Sequence, residues 1–202
     1  MKSPPMFLHR AWVRIASERS DILGREQGQA TLRIAVSLIV LLYLVLHNYP
    51  IQFGENTPQW LVVLAGFIVF AAAIFLAAMN DTHSPAYRRL IANIMDVAAI
   101  SYLMGSTQDS GAPLFVLYLW ITLGNGFRFG LGPMAISAAL SIIGFSIVVA
   151  SSELWRTHPM LAVGVVVSLA ILPAYTAHLI RHLHKARERA EEASAAKGRF
   201  LA

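Results

Sequence analysis

The sequence predicts an all-α polytopic membrane protein. Apolar residues make up 56% of its 202 residues and charged residues only 13%, a balance that is unusual for a soluble domain of this length. Only nine charged residues lie between Ile34 and Ile180. The charge-free runs between them are about as long as the ~20 residues that a spanning helix requires. Three parts are expected: a basic N-terminal segment (1–30), a transmembrane domain (31–180) and a cytoplasmic coiled-coil helix (181–202).

Six spanning helices are expected, with five as the alternative number. The expected spans cover residues 31–47, 60–79, 88–104, 113–127, 131–150 and 160–180. The third is the weakest, because Asn93 and Asp96 interrupt it. With six spans, fifteen of the sixteen Lys and Arg residues lie on the side of both chain ends, which the positive-inside rule identifies as the cytoplasm. Trp155 is expected at a membrane interface, where amphipathic rings are favoured.

The N-terminal segment is predicted to be a basic amphipathic helix. Between Met6 and Gly24, apolar residues fall on one helical face, while Arg10 and Arg14 fall on the other. The simpler interpretation is an anchor that lies at the lipid headgroups. The alternative is a binding surface for an amphiphile with a carboxylate, because a guanidinium binds a carboxylate through two hydrogen bonds. The segment lacks the apolar core of a cleavable signal peptide.

Two charged residues in the membrane segments are expected to pair. Asp96 should face protein rather than lipid, because an ionised carboxylate costs about 2.5–3.5 kcal/mol at the centre of a spanning helix. Arg128 lies near the same membrane boundary, in the run Asn-Gly-Phe-Arg-Phe-Gly of residues 125–130. We therefore expect an ion pair between Asp96 and Arg128, with Asn93 and Asn125 as hydrogen-bond partners. A clamp that holds a helical hairpin is the simpler role for such a pair.

The last span is expected to continue without a turn into the cytoplasmic helix. From Leu172 through Leu179 onward, small and apolar residues alternate four and three apart, which is the pattern of a coiled-coil seam. Pro173 frees a backbone carbonyl and is expected to kink or loosen the helix directly before that seam. Arg187 and Glu191 are spaced for an ion pair on the outer face. The pattern predicts a homodimeric rod in which Leu172, Pro173 and Leu179 transmit motion.

Composition disfavours several other kinds of site and partner. The chain has no cysteine, and its seven histidines show no ligand spacing better than that of His182 and His184, so no metal site is expected. The pI of 9.9 arises from arginines at the two ends of the chain, which favours membrane lipids over nucleic acid as the anionic partner. A small transporter or channel is the alternative function. It would be expected to line a polar pathway, for which Asn93, Asp96 and Asn125 are the candidates.

The C-terminal residues resemble those of bacterial sensor histidine kinases. The run Ala-Ala-Lys-Gly-Arg-Phe-Leu-Ala of residues 195–202 is similar to the approach to their phosphoacceptor region. Together with the basic N-terminus, the spans and the run at 125–130, it makes the chain similar to sensor regions of hybrid histidine kinases in diffusible-signal-factor quorum sensing. The resemblance implies a multi-pass inner-membrane receptor for a cis-2-unsaturated fatty acid. The parent kinase would use ATP and Mg and would transfer phosphate to a response regulator.

The resemblance also implies where the signal binds. It assigns sensing to residues 1 to about 24, and the candidate ligand contacts there are Arg14, Ser17, Glu18, Arg19 and Asp21. It implies no catalytic residue and no cofactor within these 202 residues, because the phosphorylated histidine and the ATP-binding domain are expected elsewhere in the parent kinase. Sensor regions of this kind have five spans and an outward N-terminus, whereas the distribution of Lys and Arg favours six spans and an inward one.

Overall fold

The computed structural model describes the backbone of residues 6–51, 57–80 and 85–200 and the side chains of residues 24, 27–51, 57–79, 86–183 and 185–192. Within these ranges the regular secondary structure is entirely helical, which confirms the predicted fold class. The α-helices are α1 (Met6–His47), α2 (Gln59–Asn80), α3 (Pro85–Thr107), α4 (Phe115–Phe129), α5 (Leu131–Ser151), α6 (Glu153–Thr157) and α7 (Pro159–Phe200). A 3₁₀ segment, Gln108–Leu114, joins α3 to α4.

Five segments of the described chain are long and apolar enough to cross a membrane, which is the alternative number that the sequence allowed. They are Gln27–His47, Gln59–Met79, Ala86–Phe129, Leu131–Ser151 and Pro159–Glu192. Two of the six expected spans, 88–104 and 113–127, lie within the third of these segments, which has 44 residues. That segment contains α3, the 3₁₀ segment and α4, and α4 has only 15 residues. A helix of that length is shorter than the ~20 residues that a bilayer requires.

The chain divides into two compact units, residues 1–113 and 114–202. In the first unit, α2 packs against both α1 and α3. Small residues lie at these contacts: Ala71 and Ala78, two turns apart on α2, are almost completely buried, as is Ala30 on α1. Alanine lets helix backbones approach closely, which is the usual way that spanning helices gain packing energy without a hydrophobic driving force.

The end of α3 is tied to α1 by hydrogen bonds around the 3₁₀ segment. The Ser110 hydroxyl donates to Asn48 Oδ1 at 3.2 Å, and Asn48 in turn donates to the carbonyl of Leu44 at the end of α1. Gly111 lies so close to α3 that an added Cβ would be 2.3 Å from Thr107 Oγ1 and 2.9 Å from the Cα of Met104. Only glycine therefore fits at this position.

In the second unit, α4 and α5 pack together and both contact α7, while the short α6 contacts α5 and α7. An edge-to-face aromatic stack fills its interior: Tyr118 meets Phe145 at a centroid distance of 6.2 Å, and Phe145 meets Trp155 at 4.9 Å. Trp155, which the sequence placed at a membrane interface, is buried in this stack and only 5% exposed. The ring that resembled an interfacial anchor is thus part of the core.

The two longest helices, α1 and α7, each have 42 residues, about twice the length that a bilayer requires. Helix α7 continues through Pro173 to Phe200, which confirms that the last span enters the C-terminal helix without a turn. On its outer face Arg187 Nε donates to Glu191 Oε1 at 2.7 Å, as the spacing predicted. Helix α1 likewise joins the N-terminal segment to the first span as one helix of 42 residues.

Candidate functional site

A buried ion pair links α1 and α3 in the first unit. Arg33 donates from Nε to Asp96 Oδ1 at 2.5 Å and from Nη2 to Asp96 Oδ2 at 2.8 Å. Both side chains are only 7% exposed. Two parallel hydrogen bonds between a guanidinium and a carboxylate form the strongest kind of protein ion pair. They supply the solvation that neither lipid nor an apolar core would give to Asp96.

Local structure holds Arg33 in place for this contact. The next turn of α1 presents Ser37, whose hydroxyl donates to the carbonyl of Arg33 at 2.7 Å. On α3, Asn93 and Val97 are buried on either side of Asp96, so this face of the helix points inward. The pair can therefore act as a clamp that makes α1 and α3 move together.

Arg33 is a bidentate partner of Asp96 that was not predicted from the sequence, and the expected pair of Asp96 with Arg128 stays a prediction. Arg33 precedes the first charge-free run and was therefore counted with the cytoplasmic residues. Because α1 is already helical at Arg33, the arginine side chain can reach the carboxylate of Asp96 on α3. Arg128 lies in the last turn of α4, in the second unit.

A polar seam joins α4 and α5 in the second unit. Asn125 Nδ2 donates to Ser137 Oγ at 2.7 Å, and the hydroxyls of Thr122 and Ser141 are 3.3 Å apart. All four side chains are at most 5% exposed. Beside the seam, Gly126 lies against Met134, where an added Cβ would be 2.4 Å from Sδ. Small residues and interhelical hydrogen bonds are the usual means by which spanning helices associate.

Asn125 was expected to support the Asp96 pair, and the structure gives it Ser137 as a hydrogen-bond partner. Ser137 and Ser141 were missed as functional candidates. Their four-residue spacing on an otherwise apolar helix is the signal that would have found them, because it places two small polar side chains on one helical face.

Helix α7 divides its predicted transmission residues between two faces. Pro173 lies on the buried face, one turn after Leu169, which is 1% exposed. The carbonyl that Pro173 leaves without its helical donor is that of Leu169, so it lies on the side of the protein interior. Leu172 and Leu179 are 42% and 45% exposed, on the outside of the unit. Their predicted contact with a second chain stays a prediction.

The candidate ligand contacts at the N-terminus lie in the backbone of α1, and their side chains are outside the described part of the structure. These residues are Arg14, Ser17, Glu18, Arg19 and Asp21. Among the described side chains, no group of three His, Cys, Asp or Glu residues is arranged to hold a metal ion. The rings of His178 and His182 lie 4.3 Å apart on successive turns of α7.

Comparison with known proteins finds a relative along the entire chain. The chain is 28% identical over all 202 residues to the sensory/regulatory protein RpfC, in two strains of Xanthomonas campestris pv. campestris. It spans 27% of the length of these relatives. No protein-family model matches the chain, and no solved structure matches it.

Proposed function

We propose that this chain is the membrane sensor region of a two-component hybrid histidine kinase in the bacterial inner membrane. Its proposed signal is a cis-2-unsaturated fatty acid, and its proposed output is the autophosphorylation of the kinase. The observation that carries the proposal is the similarity of all 202 residues to a sensory/regulatory protein. The similarity covers both long helices, so it includes the proposed input and the proposed output.

The input is proposed to act through α1. A fatty acid bound at Arg14 or Arg19 would place its carboxylate on the same continuous helix as Arg33. Asp21, the last candidate contact, precedes Arg33 by about 18 Å along the helix axis, at the usual rise of 1.5 Å per residue. A displacement of α1 would then move α3 through the Arg33–Asp96 pair. Two parallel hydrogen bonds from one planar guanidinium resist both sliding and rotation of one helix against the other.

The output is proposed to act through α7. The helix runs without interruption from Pro159 in the membrane to Phe200. A signal must bind the kinase-on arrangement more tightly than the off arrangement, and a difference of about 1–3 kcal/mol changes activity roughly five- to 150-fold. A dimer through the exposed Leu172 and Leu179 would convert a movement at Pro173 into a change of packing between two α7 helices. The kinase core, with ATP and Mg, would then pass phosphate to a response regulator.

Autophosphorylation of the full-length protein in nanodiscs tests the output. Leu172→Ala should change the basal rate severalfold, because Leu172 is placed in the proposed seam. Ile171→Ala is the matched control: it removes a side chain of the same size at the neighbouring position, which is 59% exposed but outside the seam. Equal rates for both variants and for the unmodified protein would contradict transmission through α7.

Binding of fatty acids tests the input. The purified full-length protein should bind a cis-2-unsaturated acid more tightly than its trans isomer, and Arg14→Gln with Arg19→Gln should abolish that preference. Equal binding of both isomers would exclude the proposed signal. Solute or ion flux through proteoliposomes of the same protein would instead support the transporter alternative.

Cysteine labelling tests the topology. The chain has no cysteine, so Ser17→Cys and Gly54→Cys each introduce a single thiol. In intact cells an impermeant maleimide should label position 54 and not position 17 if the N-terminus is cytoplasmic, as the distribution of Lys and Arg over six spans favours. Labelling at position 17 would place the proposed sensing segment on the outer side of the inner membrane, not in the cytoplasm.

A further inference from the structure

Two histidines of α7 lie side by side where the apolar run of the helix ends. Residues 157–180 carry no Asp, Glu, Lys or Arg, and Arg181 is the first charged residue after them. His178 and His182 lie on either side of this point, and both side chains are exposed. The guanidinium of Arg181 requires water or headgroups nearby, because a charge inside the bilayer is costly. The imidazoles beside it are therefore within reach of dissolved ions.

The spacing of the two histidines places them on one face of the helix. Residues four apart are neighbours on successive turns, and the two rings lie 4.3 Å apart with their planes inclined at 56°. Two histidines at this spacing hold the zinc of helical His-Glu-x-x-His sites. Residues 178–182 read His-Leu-Ile-Arg-His, which keeps both ligands and lacks the glutamate that serves as the general base. The pair is thus suited to binding rather than to catalysis.

The separation of the rings fits one shared metal ion. An imidazole nitrogen binds zinc at about 2.0–2.1 Å, which puts the ion about 3.2 Å from the centre of the ring. Two rings bound at a right angle, as in the square coordination of copper and nickel, then have centres about 4.5 Å apart. The observed separation of 4.3 Å differs from this value by only a few tenths of an ångström. Both rings can therefore bind the same ion with little movement.

The neighbours of the pair select the kind of ion. None of the residues three or four positions from either histidine is acidic: Ala174, Tyr175, Leu179, Arg181, Lys185 and Ala186. Magnesium and calcium require oxygen ligands such as carboxylates, whereas imidazole suits zinc, copper and nickel. The charges of Arg181 and Lys185 oppose any cation, but both side chains are exposed, where salt screens them. Binding should accordingly be reversible and of moderate affinity.

We propose that His178 and His182 bind one transition-metal ion of the zinc, copper and nickel class, with water at the other coordination positions. The ion joins two successive turns of α7, beginning five residues after Pro173, and so opposes local opening of the helix there. The proposal goes beyond the sensing function, since it requires neither a fatty acid nor a second copy of the chain.

Hydrogen–deuterium exchange of the full-length protein in nanodiscs, measured by mass spectrometry during a titration with Ni²⁺, tests the proposal. His182→Gln with Lys185→His is the matched control. It keeps two histidines on the same face but places them seven residues apart, about 10 Å along the axis, which is too far for one ion. His178→Gln removes one ligand and leaves Lys185 in place. Mg²⁺ is the control ion.

At about ten times the dissociation constant, Ni²⁺ should slow exchange of the amides in this turn about tenfold, because the ion binds only the closed helix. Neither variant should show this protection, and Mg²⁺ should give none. Absence of protection in the unmodified protein would overturn the proposal. Equal protection in the variant with the wider spacing would also overturn it, because Ni²⁺ would then bind single exposed histidines.

Discussion

Replacing Arg33 by methionine removes the guanidinium that holds both oxygens of Asp96, while it retains a flexible apolar side chain in the same space. The carboxylate of Asp96 then remains in a position that is 7% exposed, without these two hydrogen bonds. Breaking a buried ion pair from one side typically costs about 3–5 kcal/mol. A carboxylate within the membrane costs about 2.5–3.5 kcal/mol on insertion scales. We therefore expect Arg33→Met to lower the free energy of unfolding by about 3 kcal/mol.

The companion variants separate the clamp from the general cost of a buried charge. Asp96→Leu should lower the free energy of unfolding less than Arg33→Met does. The remaining Arg33 has a long side chain that can turn toward the nearby membrane boundary and regain contact with water. The double variant removes both charges and therefore also the cost of desolvating each of them. Its free energy of unfolding should lie within about 1 kcal/mol of that of the unmodified protein. The resulting coupling energy between Arg33 and Asp96 should be at least about 2 kcal/mol.

The assay is reversible unfolding in mixed micelles with an increasing fraction of dodecyl sulfate, followed by far-ultraviolet circular dichroism. Arg156→Met is the control, since it removes an exposed arginine from the second unit. If the double variant were as unstable as Arg33→Met, the buried carboxylate would not be the origin of the loss. If Arg33→Met changed stability no more than Arg156→Met does, the clamp itself would be refuted.

Three further predictions concern packing and use the same unfolding assay. Gly126→Ile should destabilise the second unit by about 1–3 kcal/mol through overpacking, and adding Met134→Ala should restore part of the loss, because Met134 occupies the space beside Gly126. Gly111→Ala should also destabilise, since its Cβ would meet backbone at 2.9 Å, whereas Gly132→Ala, with nothing within 4 Å, should not. Asn125→Leu should cost about 0.5–2 kcal/mol, the usual range for an interhelical hydrogen bond in a membrane, and no loss would show that the α4–α5 seam is unimportant.

Features that depend on composition or on neighbouring residues were predictable. The scarcity of charge between Ile34 and Ile180 identified a polytopic helical protein, because the bilayer penalises each charge separately. The continuity of α7 followed from the absence of a turn signal after Pro173, and the contact between Arg187 and Glu191 followed from helical spacing. The burial of Asp96 followed from the same penalty, since a single carboxylate in a span must find protein.

Features that depend on which helices meet were decided by the tertiary structure. The sequence showed that Asp96 needs a partner, but periodicity along one helix does not specify the neighbouring helix, and the guanidinium that meets it comes from 63 residues away. The spacing of Ser137 and Ser141 marks a polar face of α5, but it does not identify α4 as the helix that meets this face. The 15-residue length of α4 is set by the breaks on either side of it. By itself the sequence determined that the chain is helical and lies in a membrane, because the cost of placing each residue in a bilayer depends on that residue alone. Only packing determined which polar groups form hydrogen bonds with one another, because those contacts join distant parts of the chain.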